Sequence, residues 1–115
     1  MNIEEFRDYC LSLPQTTEGF PFDEKTLVFK VMNKMFALTD VDKFHLINLK
    51  CDPELAIELR EKYTCVQPGY HMSKKHWNSI YLDGCVSDEL ILKWVKDSYD
   101  SVVSTLPKRL QKEIM

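Results

Sequence analysis

At 115 residues, 44% hydrophobic and 29% charged, the chain has the length and balance of one globular domain around a single core. Its net charge of −3 excludes a domain that holds nucleic acid by bulk electrostatics. Its three glycines, Gly19, Gly69 and Gly84, are too few and too scattered for a P-loop or a dinucleotide fingerprint.

No window approaches the roughly 18 apolar residues of a membrane span. The first residues carry Glu4 and Glu5 without an apolar signal core, so a cytoplasmic protein without a membrane partner is expected. The charge is unevenly laid out. Residues 1–24 set Arg7 alone against six acids, residues 25–80 set nine lysines and arginines against six acids, and residues 81–115 set five against six. Any anion-binding face must therefore be local and lie in the middle of the chain.

The elements follow in chain order. Asn2 with Glu5 three residues later forms a capping-box pattern, and Ile3, Phe6, Cys10 and Leu13 repeat at helical spacing until Pro14. The stretch from Pro14 to Phe22 reads as an irregular connection whose Phe20 and Phe22 fold back on the core. Three β patterns follow, Leu27 to Met32, Met35 to Thr39 and Phe44 to Leu49, joined by turns at Asn33-Lys34 and Asp40-Val41-Asp42-Lys43. Asp52-Pro53-Glu54 starts a second helix with an N-cap acid, a proline and a dipole-favoured acid, and Leu55, Leu59 and Tyr63 are its expected buried stripe. Cys65-Val66-Gln67 and Trp77 to Leu82 read as two more strands, with a turn at Asp83-Gly84. Ser87-Asp88-Glu89 caps a third helix carrying Ile91, Val95, Tyr99, Val102 and Leu106, and Lys108 to Met115 reads as a short basic helix or a frayed tail.

The expected architecture is a single α+β domain over residues 1–115, in the order α-β(3)-α-β(2)-α, with a mostly antiparallel five-stranded sheet packed against helices. Cys10, Cys51, Cys65 and Cys85 stand far apart with no Cys-x-x-Cys pair, so they are expected to be reduced thiols packed as small hydrophobes. The gaps between Cys65, His71 and His76 match no familiar metal spacing. No nucleophile signature surrounds Cys51 or Cys65, and the paired acids sit at helix starts or in a loop, so no enzyme activity and no cofactor are expected.

One stretch carries most of the chemistry. Gln67 to Asn78 holds two histidines, two lysines, two aromatics and a Pro-Gly turn without a carboxylate. Lys74 and Lys75, with Lys50 and Lys34, suit phosphates; His71, His76 and Asn78 offer hydrogen bonds; Tyr70 and Trp77 suit base stacking. Each also has a structural reading: Trp77 as core, Tyr70 as cover for a sheet edge, Lys50 as solvation of a helix entry, the histidines as local hydrogen-bonders.

Pro21-Phe22, Asn33-Lys34-Met35-Phe36-Ala37, Leu49-Lys50-Cys51-Asp52-Pro53-Glu54, Pro68-Gly69-Tyr70-His71-Met72, Lys75-His76-Trp77-Asn78, and Ser98-Tyr99 with Leu106-Pro107-Lys108 together resemble the MmcQ/YjbR-like family over nearly the whole chain. The resemblance implies a bacterial domain of CyaY-like or secretion-chaperone-like fold and a "double-wing" DNA-binding protein. Asn33-Lys34 departs from the glycine that members often place in the first hairpin. The resulting expectation is a DNA-binding, non-enzymatic domain acting through Lys50, Tyr70, His71, Lys74, Lys75, His76 and Trp77. The alternatives are a small-anion module using part of the same loop and a chaperone-like protein-interaction domain, with the oligomeric state open.

Overall fold

The computed structural model describes residues 1–70 and 72–114. Four helices and six strands run in the order α1 (Ile3–Ser12), β1 (Thr16–Gly19), β2 (Thr26–Val31), β3 (Lys34–Asp40), β4 (Leu46–Lys50), α2 (Pro53–Lys62), β5 (Val66–Pro68), β6 (Trp77–Tyr81), α3 (Asp88–Ser104) and α4 (Lys108–Ile114). Local chemistry starts three of the helices where the sequence places them. Asn2 Oδ1 accepts from the Glu5 amide at 2.8 Å, Asp52 Oδ2 from the Glu54 and Leu55 amides, and Ser87 Oγ from the Leu90 amide.

The strands form one sheet in the order β1-β2-β3-β4-β6-β5, antiparallel at every pairing. It has six strands rather than five. The additional one, Thr16-Thr17-Glu18-Gly19, has no apolar alternation to announce it. It exists because its backbone pairs with β2, Thr16 opposite Val31 through Gly19 opposite Val28. The first hairpin turns one residue earlier than expected, with Met32 and Asn33 both at positive φ (48° and 67°) between the paired Val31 and Lys34. That is the conformation of a two-residue type I′ turn, which suits strand twist without needing glycine when asparagine supplies one position.

Alternation along the strands separates two faces. Leu27, Thr39, Ile47, Ile80 and Val66 line up across one. This face carries the main core, where Phe6 of α1 meets Phe29 edge-on at 5.5 Å and where Ile91, Val95, Tyr99 and Val102 of α3 are buried. A β-bulge leaves Phe36 unpaired between the Phe29–Ala37 and Lys30–Met35 pairs and turns it onto Tyr99, with ring centroids 5.4 Å apart. Ser98 Oγ donates to the Phe36 carbonyl at 2.5 Å, so α3 is pinned at the bulge. On the other face, Val28, Leu38, Asn48, Ser79 and Gln67 line up, and Val28, Leu38 and Trp77 form a small second cluster with Met35 and Met72.

Three further expectations are corrected. Phe20 and Phe22 do not fold into the core: they are 49% and 63% exposed. The Asp23 carboxylate accepts from the Lys25 and Thr26 amides at 2.8 and 2.7 Å, a tight turn that leaves the preceding aromatics outside the sheet edge. In α2 the buried residue is Ala56, whereas Leu55 is exposed and Leu59 and Tyr63 half-buried, because the helix meets β5 and β6 with Ala56 innermost. Cys65 and Cys85 are joined in a disulfide, Cα atoms 6.2 Å apart, and only Cys10 and Cys51 are free thiols. Folding sets β5 beside β6, so the turn after β6 returns to the start of β5 and overrides the sequence distance between the two cysteines.

Candidate functional site

The connection between β5 and β6 is a built loop. Gly69 is buried and its amide donates to the Trp77 carbonyl at 2.9 Å; a Cβ there would lie 2.8 Å from Trp77 Cβ and 3.1 Å from Met72 Cβ. Glycine is needed for close approach, so the Pro-Gly pair serves the loop's packing as well as its turn. At the other end the Trp77 amide donates to the Ser73 carbonyl, and the Cys51 amide to the His76 carbonyl at 2.8 Å, which ties the loop to the end of β4.

Arg60, in the last turn of α2, holds this loop to the helix. Its Nε donates to Asn78 Oδ1 at 2.6 Å, and its second guanidinium nitrogen donates to the Trp77 carbonyl at 3.2 Å and to the Lys74 carbonyl. Asn78 completes the clamp by donating to the Ala56 carbonyl at 3.3 Å. Read as sequence, Arg60 is one more cation on a helix surface. Only the docking of α2 beside β6 gives it a partner, and no local signal reveals that.

The register brings four lysines to one end of the sheet. Lys34 opens β3, Lys50 closes β4, and Lys50 pairs with Trp77 at the start of β6. The β2–β3 turn and the β5–β6 loop emerge at that same end, the first beside Lys34, the second carrying the exposed Lys74 and Lys75. Lys50 lies over the Trp77 ring, its Nζ 5.5 Å from the centroid, and Lys34, Lys50, Met35 and Trp77 border one shallow depression with the C-terminal part of α3.

The expected site residues thus divide. Lys50, Lys74, Lys75 and the half-buried His76 belong to this end of the molecule. Trp77 is only 4% exposed, its faces taken by Val28, Leu38 and Lys50, so it is core and cannot stack on a base. Tyr70 is exposed but borders a groove on the open face of the sheet rather than the lysine cluster. His71 lies outside the described residues.

The thiols do not form the nucleophile pairs considered from the sequence. Cys65 is in the disulfide, burial raises the Cys10 thiol, and burial together with the Asp52 carboxylate pushes Cys51 up to about 11. Neither free thiol is held as a thiolate near neutral pH. Asp83 comes close to both disulfide sulfurs, but its Oδ1 accepts from the Cys85 amide at 3.0 Å and sulfurs bonded to each other offer no thiolate to a metal.

A six-stranded antiparallel sheet with its helices on one face, one face open and two connections projecting from one end defines a small α+β domain of the kind found in bacterial relatives. The chain belongs to the YjbR family, whose model matches residues 11–101. It is 35% identical over 113 residues to YjbR of Escherichia coli K12, covering 97% of this chain and 96% of that protein, and 37% identical over 112 residues to YbdF of Escherichia coli O157:H7, covering 96% and 92%. Both relatives are uncharacterised proteins. The crystal structure of Deinococcus radiodurans protein DR2400, a DUF419 domain, superposes with a TM-score of 0.91 at 41% identity, covering 98% of this chain and 87% of that one. A Pseudomonas syringae protein superposes at 0.70 with 31% identity, covering 85% and 96%.

Proposed function

We propose that the chain is a non-enzymatic nucleic-acid-binding domain that meets DNA with the end of the sheet where its two projecting connections emerge. The observation that carries this reading is the convergence there of Lys34, Lys50, Lys74 and Lys75 from three separate segments, in a protein whose net charge is −3. Four lysines at one end suit the phosphates of a backbone; the Arg60 clamp on the Lys74 and Trp77 carbonyls lowers the ordering cost of the loop that presents two of them. The double-wing label of the resembling family points the same way, the β2–β3 turn and the β5–β6 loop being the two wings. With Trp77 buried, contact is to phosphates rather than by base stacking, so binding is weakly selective for sequence and steeply dependent on salt.

Titration of labelled duplex and single-stranded DNA at low and moderate salt tests this. Binding at low salt, with Lys74→Ala/Lys75→Ala reducing the slope of log affinity against log salt by roughly two, is the expected result. Absence of binding to either DNA at low salt overturns it.

A further inference from the structure

The open face of the sheet carries a groove of about 440 Å³ that the lysine cluster does not use. Its floor is Leu38, Leu46 and Asn48 from the two central strands, and its walls include Phe22, Tyr70 and Met72. Such a volume suits a small molecule rather than a polymer. The crevice between α2 and α3, lined by Leu55, Leu59 and Trp94, is only about 80 Å³.

Polarity gives the groove a direction. Asn48 is 5% exposed on an otherwise apolar floor, and its Oδ1 accepts from Ser79 Oγ, which in turn accepts from the Tyr70 amide at 2.8 Å. That chain fixes the Asn48 side chain by its Oδ1 and leaves its Nδ2 without a protein acceptor among the described residues, open to solvent rather than buried, in a residue that lines the groove. A solvent-reached amide donor at the surface of an apolar groove is one that a guest's carbonyl oxygen can take in place of water. Among the described residues, His45 is the one basic side chain that lines the groove, no lysine or arginine does, and Asp23 and Asp40 set two carboxylates against it, so an anion is disfavoured there.

We propose that this groove is a binding site for a flat, uncharged aromatic or heteroaromatic molecule carrying a carbonyl or carboxamide. The ring lies against Leu38 and Leu46 between Phe22 and Tyr70, and the carbonyl oxygen accepts from Asn48 Nδ2. The site shares no cation with the nucleic-acid reading, so either can fail alone.

Benzamide, with benzoate as its charged counterpart, is the probe. Titration into 15N-labelled protein is expected to shift the Asn48 side-chain amide and the backbone amides of Leu38, Tyr70 and Met72, with benzamide binding at least severalfold more tightly than benzoate. Phe22→Ala, at an exposed position that the fold does not need, is expected to weaken benzamide about fivefold, since an aromatic contact is worth about 1 kcal/mol. Asn48→Leu is expected to weaken it about tenfold, the worth of one hydrogen bond of about 1.4 kcal/mol, while the remaining spectrum keeps its dispersion. If Asn48→Leu loses that dispersion, the wild-type shift map and Phe22→Ala decide. The absence of shifts in these residues, equal or tighter binding of benzoate, or unchanged affinity in Phe22→Ala overturns the proposal.

Discussion

The two faces of the sheet are made by the same strands and the same alternation, yet they solve opposite problems. On the covered face, α1 and α3 close over Phe29, Ala37, Ile47, Leu49 and Ile80, each 3% exposed or less. No helix crosses the open face among the described residues; Val28, Leu38 and Trp77 are instead shielded by the loop that Arg60 and Gly69 hold in place. The covered face gains stability from helix packing. The open face depends on a loop for its cover, and that arrangement leaves a polar pair, Asn48 and Ser79, beside a groove. Function is better sited on a surface that packing has left unfinished.

The largest test of this contrast is a pair of truncations. Phe29→Ala removes a fully buried ring in contact with Phe6 and is expected to lose about 3–5 kcal/mol in denaturant unfolding, whereas Leu38→Ala on the open face is expected to lose about 2 kcal/mol, because the loop over it can settle into the space. Equal losses would mean that the open face is as tightly packed as the core.

The disulfide sharpens the comparison next, since Cys65 belongs to the covered-face cluster and Cys85 to the exposed turn after β6. The cysteines are separated by 20 residues, so Cys85→Ser is expected to cost about 3 kcal/mol relative to the oxidised protein, and reductant to lower the midpoint of the wild type alone. A wild type indifferent to reductant breaks this expectation. A smaller effect separates two glycines. Gly69→Ala forces a Cβ against Trp77 and is expected to cost about 1–3 kcal/mol, while at Gly19 a Cβ meets nothing within 4 Å and the same change is expected to stay within about 0.5 kcal/mol in thermal unfolding.

What could be read directly from the residues was local. The caps at Asn2, Asp52 and Ser87 are legible because a side chain reaches an amide only two or three residues away, and the helical spacing of Ile91, Val95 and Tyr99 is legible because one face is buried throughout. β1 was illegible because its stability lies in pairing with β2 rather than in its own alternation. The loop from Gln67 to Asn78 stood out by composition, and Lys74 and Lys75 are indeed exposed there. Yet Trp77 sits in the second apolar cluster, and Tyr70 faces a different surface from the lysines. Asn48 and Ser79 gave no signal at all, being ordinary polar residues in strands until register set them side by side.

The sequence by itself determined the α+β class, the order of the first three helices with their starts, five of the six strands and the segment in which to look for chemistry, since each of these depends on neighbours within a few residues. Tertiary structure alone decided the sixth strand, the Cys65–Cys85 pairing, the Arg60 clamp and the division between a lysine-bearing end and a groove on the open face that no lysine or arginine lines among the described residues. Those depend on which strand lies beside which, and strand order is set by a global packing of helices on one face that no short window of residues encodes.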